Sequence, residues 1–200
     1  MNTSGVAVFA KNPALGRVKT RLAKTVGEQN ALEVYLFLLK NILSEAEKVE
    51  AHRYIFYDED PVSPFFKQYK NRFNLIVQDG EDLGSRMVNC FEKLFSVHQK
   101  VVIVGSDIPY LNKEIIESAL DWINAHQVAV GPNIDGGYYL IGFTKKSFSP
   151  DFFCQIKWST SAVFEKTINK IKKVWYNPLV LPMLQDIDTK EDLKILKGGL

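Results

Sequence analysis

Two hundred residues carry 25 Lys and Arg against 23 Asp and Glu, a formal net charge of +2, with 46% hydrophobic and 24% charged side chains. These values suit one globular domain over residues 1–200 with an ordinary core, and they give no charge field that argues for nucleic acid or a membrane as partner. Two cysteines, Cys90 and Cys154, exclude a disulfide framework or zinc ribbon and suit a reducing cytoplasm; residues 1–10 lack the basic start and long apolar run expected of a signal peptide, and no apolar run reaches the roughly 20 residues of a membrane span.

Residues 5–10 (GVAVFA) predict a first strand, followed by a loop over residues 11–20 marked by Asn12-Pro13 and Gly16. One long helix follows the loop, with apolar residues at Leu32, Tyr35, Leu36, Leu39, Ile42, Leu43 and Ala46 at helical spacing. Residues 54–57 read as a short strand, Pro61 and Pro64 break the chain, and residues 74–78 form a further strand. Residues 83–95 predict an amphipathic helix that Asp82 can cap. Residues 101–105 (VVIVG) are a buried strand, and the next helix starts at the cap Asn112 and runs through Ile115, Ile116, Ala119, Leu120 and Ile123. Residues 128–131 and 138–143 are strands flanking Asn133-Ile134-Asp135-Gly136-Gly137. Residues 161–172 are helical, and residues 189–196 form a last short helix, with Thr189 as cap and Asp192 three positions on. Strands alternate with helices through residue 131, so the fold class is α/β, with a mostly parallel mixed central sheet flanked by helices.

Five segments carry residues suited to chemistry. The loop after the first strand holds Lys11, Arg17, Lys19 and Arg21; Gly16 lets backbone approach a ligand, and the cations suit phosphate. A solvated basic turn is the plainer reading, and neither P-loop nor Rossmann glycine spacing is present. In residues 78–87, Gly80 and Gly84 allow close approach and Arg86 can reach an anion, against a simple capped helix start. In Ser106-Asp107-Ile108-Pro109 a carboxylate sits just past a buried strand, where open α/β sheets bind ligands; it suits Mg²⁺ or Mn²⁺, or caps the next turn. Asp135-Gly136-Gly137 followed by Tyr138 and Tyr139 reads as a hairpin or as a sugar- or base-binding wall. Asp186 and Asp188, at i and i+2, point the same way on an extended segment, so one can complete a metal site with Asp107; otherwise Asp188 and Thr189 start the final helix.

Other patterns exclude chemistry. Asp186-Ile187-Asp188-Thr189 is not the phosphatase nucleophile motif of haloacid dehalogenase type, because its partners need a longer downstream chain. His52, His98 and His126 share no spacing and read as ordinary surface or edge residues. No Ser-His-Asp or Cys-His arrangement is seen, so covalent catalysis is not expected. Lys166, Lys170, Lys172 and Lys173 read as a solvated helix face.

Six stretches in order, FAKNPALGRVKTRLA (residues 9–23), QDGEDLGSRM (78–87), GSDIPYL (105–111), GPNIDGGYYLIG (131–142), WSTS (158–161) and DIDTKEDL (186–193), carry a resemblance. The chain resembles the small bacterial nucleotide-diphospho-sugar transferase-like proteins of glycosyltransferase-A fold, in particular the radical-SAM-associated or arsenosugar-type glycosyltransferases. More distantly it is similar to molybdenum-cofactor and phospholactate nucleotidyltransferases. The resemblance implies a Rossmann-like nucleotide-binding half from the first strands and an acceptor half from the later ones. It implies Asp107 as a metal-ligating acid, with Asp188 where related folds place a second ligand. Ile108 and Pro109 after Asp107 depart from the D-x-D of glycosyltransferases and leave the division between sugar and nucleotidyl transfer open.

The expected protein is a metal-dependent glycosyltransferase that takes a nucleotide sugar to a small acceptor, using Mg²⁺ or Mn²⁺ on Asp107 and Asp188. Lys11, Gly16, Lys19, Arg21, Gly80 and Arg86 would bind the nucleotide phosphates. Gly136, Gly137, Tyr138 and Trp158 would contact the acceptor. Asp107, Lys19 and Asp135 would be catalytic, with Asp135 orienting or deprotonating the acceptor hydroxyl. The alternatives are a nucleotidyltransferase moving NMP from an NTP to a phosphorylated small molecule, and a non-catalytic nucleotide-binding protein. No nucleic acid or membrane partner is expected, and a homodimer is allowed.

Overall fold

The computed structural model describes residues 3–174 and 177–197. Its strands are β1 (Ser4–Ala10), β2 (His52–Tyr57), β3 (Asn74–Val77), β4 (Lys100–Gly105), β5 (Val128–Pro132), β6 (Tyr138–Thr144) and β7 (Leu179–Val180). They form one sheet in the order β3-β2-β1-β4-β6-β5-β7. Among the described strands, β6 alone runs antiparallel to its neighbours. The expected mostly parallel mixed α/β sheet is therefore present.

The helices are α1 (Thr20–Val26), α2 (Glu28–Glu47), α3 (Pro64–Lys67), α4 (Leu83–Phe95), α5 (Lys113–His126), α6 (Val163–Lys173) and α7 (Leu193–Lys197). Gly27, at φ 87°, separates α1 from α2 where the pattern predicted one long helix. Pro64 does not merely break the chain: it opens α3 behind Ser63, whose side chain accepts a bond from the Phe66 amide. The two residues of β7 are too short to show any alternation in sequence. Asp82 and Asn112 cap α4 and α5 as expected. Among the described residues no helix is long and apolar enough to cross a membrane.

Alternation along the central strands builds a core on each face of the sheet. Val6, Val8, Val102 and Val104 pack with Leu39, Ile42 and Leu43 of α2 and Ile116, Ala119 and Ile123 of α5. Ala7, Val101 and Ile103 pack with Phe91 and Leu94 of α4 and Ile168 and Ile171 of α6. Cys90 and Cys154 are free thiols. His52 is exposed, whereas His98, which the sequence suggested at the surface or an edge, is buried. It sits at the amino-terminal edge of β1 and β2, with Nε2 2.7 Å from the Tyr54 hydroxyl. Glycine at position 5 makes room for it: a Cβ there would lie 2.9 Å from His98 Cδ2. The side chain of His126 lies outside the described residues.

The sheet has a switch point. β1 is followed by β2 on one side and has β4 on the other, so the chain reverses its direction of travel across the sheet between β1 and β4. Ligands of open α/β sheets sit beyond the carboxyl ends at such a point. The basic loop leaves β1 there, and Asp107 leaves β4 there.

Candidate active site

A cleft of about 580 Å³ opens at this switch point. Three stretches of chain bring charge to it, each held by identifiable contacts. The loop after β1 is pinned by Asn12, whose amide donates to Asp58 Oδ1 at 2.7 Å and whose side chain donates to the Glu59 carbonyl at 2.6 Å. Tyr35 on α2 adds a second pin, donating to the Lys11 carbonyl at 2.9 Å and accepting from the Lys11 amide at 2.8 Å. Burial, with Asp107 nearby, pushes the Tyr35 phenol far above its ordinary range, so it stays neutral. After β4, Asn41 of α2 donates to the Pro109 carbonyl at 3.0 Å and sets the turn that carries Asp107.

The third stretch arrives from the far end of the chain. Residues beyond β7 run beside the β5–β6 connection, where the Ile134 amide donates to the Leu184 carbonyl at 3.0 Å, and then reach the β4 turn, where the Ile187 amide donates to the Asp107 carbonyl at 3.3 Å. Ile187 is fully buried. On an extended segment its neighbours face the opposite way, and Asp186 and Asp188 both line the cleft. Asp192 fastens this stretch by accepting from the amides of Asp188 and Thr189, the Thr189 hydroxyl and the Gln185 side chain, at 2.7–3.0 Å. Asp192 is partly buried, which alone would raise its carboxyl, but these bonds to Thr189, Asp188 and Gln185 outweigh that and hold it below the usual range.

At the centre stands Lys19. Its ammonium lies 3.0 Å from Asp188 Oδ1 and 3.1 Å from Asp107 Oδ1, and its side chain is 3% exposed. The backbone there is left-handed, φ 47° and ψ 44°, an arrangement that costs a non-glycine residue on the order of 1–2 kcal/mol. Burial opposes the charge, but Asp107 and Asp188 outweigh it and raise the ammonium above its ordinary value, so Lys19 is a firm cation. Arg21 approaches Asp188 Oδ2 at 3.7 Å from a solvent-exposed position. Asp186 is pushed up to about 6 by burial and by the negative charges of Asp188 and Asp135.

The expected residues largely meet. Lys11, Lys19, Arg21, Arg86, Asp107, Asp135, Gly137, Tyr138, Trp158 and Asp188 all line the cleft, whereas Gly16, Gly80 and Gly136 do not. Gly80 instead offers its carbonyl to Arg86 Nε at 3.0 Å, and Arg17 turns away to pair with Glu59. Gly136 serves packing: at φ 86°, a Cβ on it would overlap the Ser161 carbonyl. The turn at residues 133–137 is indeed a hairpin, closed by the Asn133 amide on the Gly137 carbonyl at 3.0 Å, and its tip is also part of the cleft wall. Trp158 fits only because Gly84 on α4 has no side chain; a Cβ there would lie 2.6 Å from the indole.

Sequence reasoning passed over Tyr35, Asp58, Gln78, Ser159 and Thr160, which also line the cleft. Tyr35 reads as one more apolar position on a helix and Asp58 follows a short strand with no pattern of its own, whereas Gln78, Ser159 and Thr160 fall within stretches that carry the resemblance but were given no role. A separate cavity of about 520 Å³, lined in part by His52, Arg53, Lys70 and Arg72, opens at the opposite, amino-terminal edge of the sheet, where the starts of β1, β2 and β3 contribute.

The lining residues of the switch-point cleft include four basic side chains (Lys11, Lys19, Arg21, Arg86) and five aspartates (Asp58, Asp107, Asp135, Asp186, Asp188). Among the described residues no group of three or more His, Cys, Asp or Glu side chains is drawn together as a ready-made metal cage. What the cleft offers is two carboxylates aimed at one cation position. That donor set suits Mg²⁺ or Mn²⁺, which take oxygen ligands, keep several waters and bind through one or two carboxylates together with substrate phosphates.

A mostly parallel sheet with one antiparallel strand and a charged cleft at its switch point defines the α/β class of nucleotide-diphospho-sugar transferase-like folds. Residues 42–160 match the family described as an uncharacterised protein conserved in bacteria (DUF2064), and the chain belongs to that family. A crystal structure from Desulfovibrio desulfuricans G20, provisionally named a nucleotide-diphospho-sugar transferase, is 35% identical, with a TM-score of 0.91 over 98% of this chain and 87% of that one. The inositol-1-phosphate CTP transferase of T. maritima shares the fold at 14% identity and a TM-score of 0.64, over 98% of this chain and 95% of that one. So does Rv0371c of Mycobacterium tuberculosis H37Rv, in a complex with manganese, at 13% identity and a TM-score of 0.57 over 100% of both chains. Comparison with curated protein sequences finds no match.

Proposed function

We propose that the protein is a metal-dependent transferase acting on a nucleotide-activated donor, and that it moves a glycosyl group from a nucleotide sugar to a small acceptor. The convergence of Asp107 and Asp188 on one cation position, beside Lys11, Arg21 and Arg86, carries this reading. A polyphosphate placed against five aspartates needs more positive charge than four basic residues supply. A divalent cation bound by Asp107 and Asp188 supplies that charge and stabilises the leaving diphosphate. Lys11, Arg21 and Arg86 hold the phosphates through charge-assisted hydrogen bonds. Tyr138 and Trp158, whose rings meet edge to face at 6.5 Å, form the wall against which the acceptor rests. Asp135, with Oδ1 fixed by the Gly137 amide at 2.8 Å, is the group placed to take the acceptor's hydroxyl proton. The provisional name of the D. desulfuricans relative supports sugar transfer.

Nucleotidyl transfer is the second reading, favoured by the Ile108-Pro109 that follows Asp107 in place of a D-x-D, and by the fold shared with a CTP-using enzyme. Incubation with nucleotide sugars and nucleoside triphosphates, with Mn²⁺ and a panel of small acceptors, separates the two. Release of nucleoside diphosphate is expected; release of pyrophosphate would replace glycosyl transfer by nucleotidyl transfer. Stoichiometric ligand binding with no product from either panel would leave a non-catalytic binding protein.

A further inference from the structure

We propose that Lys19 is a built-in counter-ion that occupies the cation position of the carboxylate pair, so that a divalent ion enters only when this ammonium moves aside. The inference rests on the reading of Asp107 and Asp188 as metal ligands and adds a control over when they act.

Three observations carry it. The ammonium sits between the two carboxylates at 3.0 and 3.1 Å, bonded to both, which is how a bound cation sits. Its side chain is 3% exposed although both partners are substantially open to solvent, at 35% and 44%. A lysine normally keeps its charged end in water; here the charged end is inside and the carboxylates are at the rim. Its backbone is left-handed at the residue that precedes α1, so the loop takes up a strained conformation there that aims this side chain inward.

The consequence is electrostatic. A divalent ion and an ammonium cannot share the two oxygens, because they would stand within a few ångströms of each other in a site partly shielded from water. With Lys19 in place the cluster binds metal poorly by itself. A phosphate group in the cleft offers the ammonium a new anionic partner, so its departure from Asp107 and Asp188 coincides with arrival of the donor. Metal and donor then bind with positive coupling, and the metal-free cleft stays electrically compensated rather than loading a stray cation.

Mn²⁺ binding without any phosphate ligand tests this, read by loss of the free-ion electron paramagnetic resonance signal. Lys19→Met keeps most of the length of the side chain and removes the charge. It is expected to bind Mn²⁺ at least tenfold more tightly than the unaltered protein, with the gain lost when Asp107→Asn is added. Equal or weaker binding by Lys19→Met, with measurable Mn²⁺ binding in both proteins, overturns the counter-ion role and leaves the metal reading standing. No Mn²⁺ binding by either protein overturns both. A second measurement on the unaltered protein does not depend on the variant folding. With ¹⁵N-labelled lysine, the Lys19 ammonium resonance is expected to be sharp and protected without metal, and to move when Mg²⁺ and inorganic pyrophosphate are added together. A resonance that stays in place at saturation refutes the proposal.

Discussion

Asp107 and His98 are both charged or chargeable groups near the ends of central strands, yet their environments assign them opposite tasks. Asp107 is half-open and shares a cation position, so its loss should remove function and spare the fold. Asp107→Asn is expected to weaken nucleotide binding in Mn²⁺ by at least about 2–3 kcal/mol, the scale of a hydrogen bond to a charged group, with an unchanged circular dichroism spectrum. Titration calorimetry measures this, and undiminished affinity would remove Asp107 from the site. His98 is a folding group. Burial, with His52 beside it, lowers its imidazole below the ordinary 6.5, so the folded state favours the neutral ring. The stability this contributes is present above pH 6.5 and is lost as the pH falls through the lowered folded value, because the unfolded chain then takes the proton more readily. The melting temperature should therefore decline below pH 6.5, and His98→Gln should flatten that part of the curve. Parallel curves for the two proteins would assign the decline to other groups. Nothing around Val97 and Gln99 in the sequence signals a buried histidine; only the bare Cα of Gly5, 93 positions away, makes the space for it.

At the scale of elements, capping was legible because it is local. Asp82 accepts from the Ser85 amide at 2.8 Å, and Ser85 Oγ accepts in return from the Asp82 amide at 3.0 Å. Asp82→Ala should cost about 1 kcal/mol in urea unfolding. The segment after β7 was legible only in part. Its alternation was visible, as was Asp192 three positions after Thr189, which do bond to each other, and both aspartates line one cleft; the anchoring of the stretch by Ile187 beneath it gave no pattern. Ile187→Ala should destabilise by about 2–5 kcal/mol, as deletion of a buried branched side chain does. It should also reduce Mn²⁺ affinity measured well below the melting temperature, because the two carboxylates on either side lose their fixed orientation. Unaltered Mn²⁺ affinity would mean that this anchor supports the fold alone. The glycine that divides α1 from α2 was also missed, since an apolar stripe continues on either side of Gly27 and hides the break.

At the scale of the whole molecule, the cleft unites segments from β1, β4, the β5–β6 hairpin and the stretch near the carboxyl end. A ligand that bridges them binds the folded chain and not the unfolded one. At a concentration one hundred times its Kd, it should add about 2.7 kcal/mol of stability. For a chain of this size, that corresponds to a rise of roughly 5–10 °C in melting temperature. A thermal scan with nucleotide sugars or triphosphates and Mn²⁺ should show the rise in the unaltered protein and not in Asp107→Asn. Equal shifts in both would place the ligand elsewhere.

The sequence by itself determined the α/β alternation, the mostly parallel sheet and the position of Asp107 just beyond a buried strand. Burial periodicity and strand termination are encoded within a few neighbouring residues, so a single chain can be read for them. Tertiary structure decided which charges face one another. Lys19 and Asp188 are 169 positions apart and meet only because the last stretch of chain returns along β5 to the turn that carries Asp107. Electrostatic pairing depends on distances through space, and no local pattern records them.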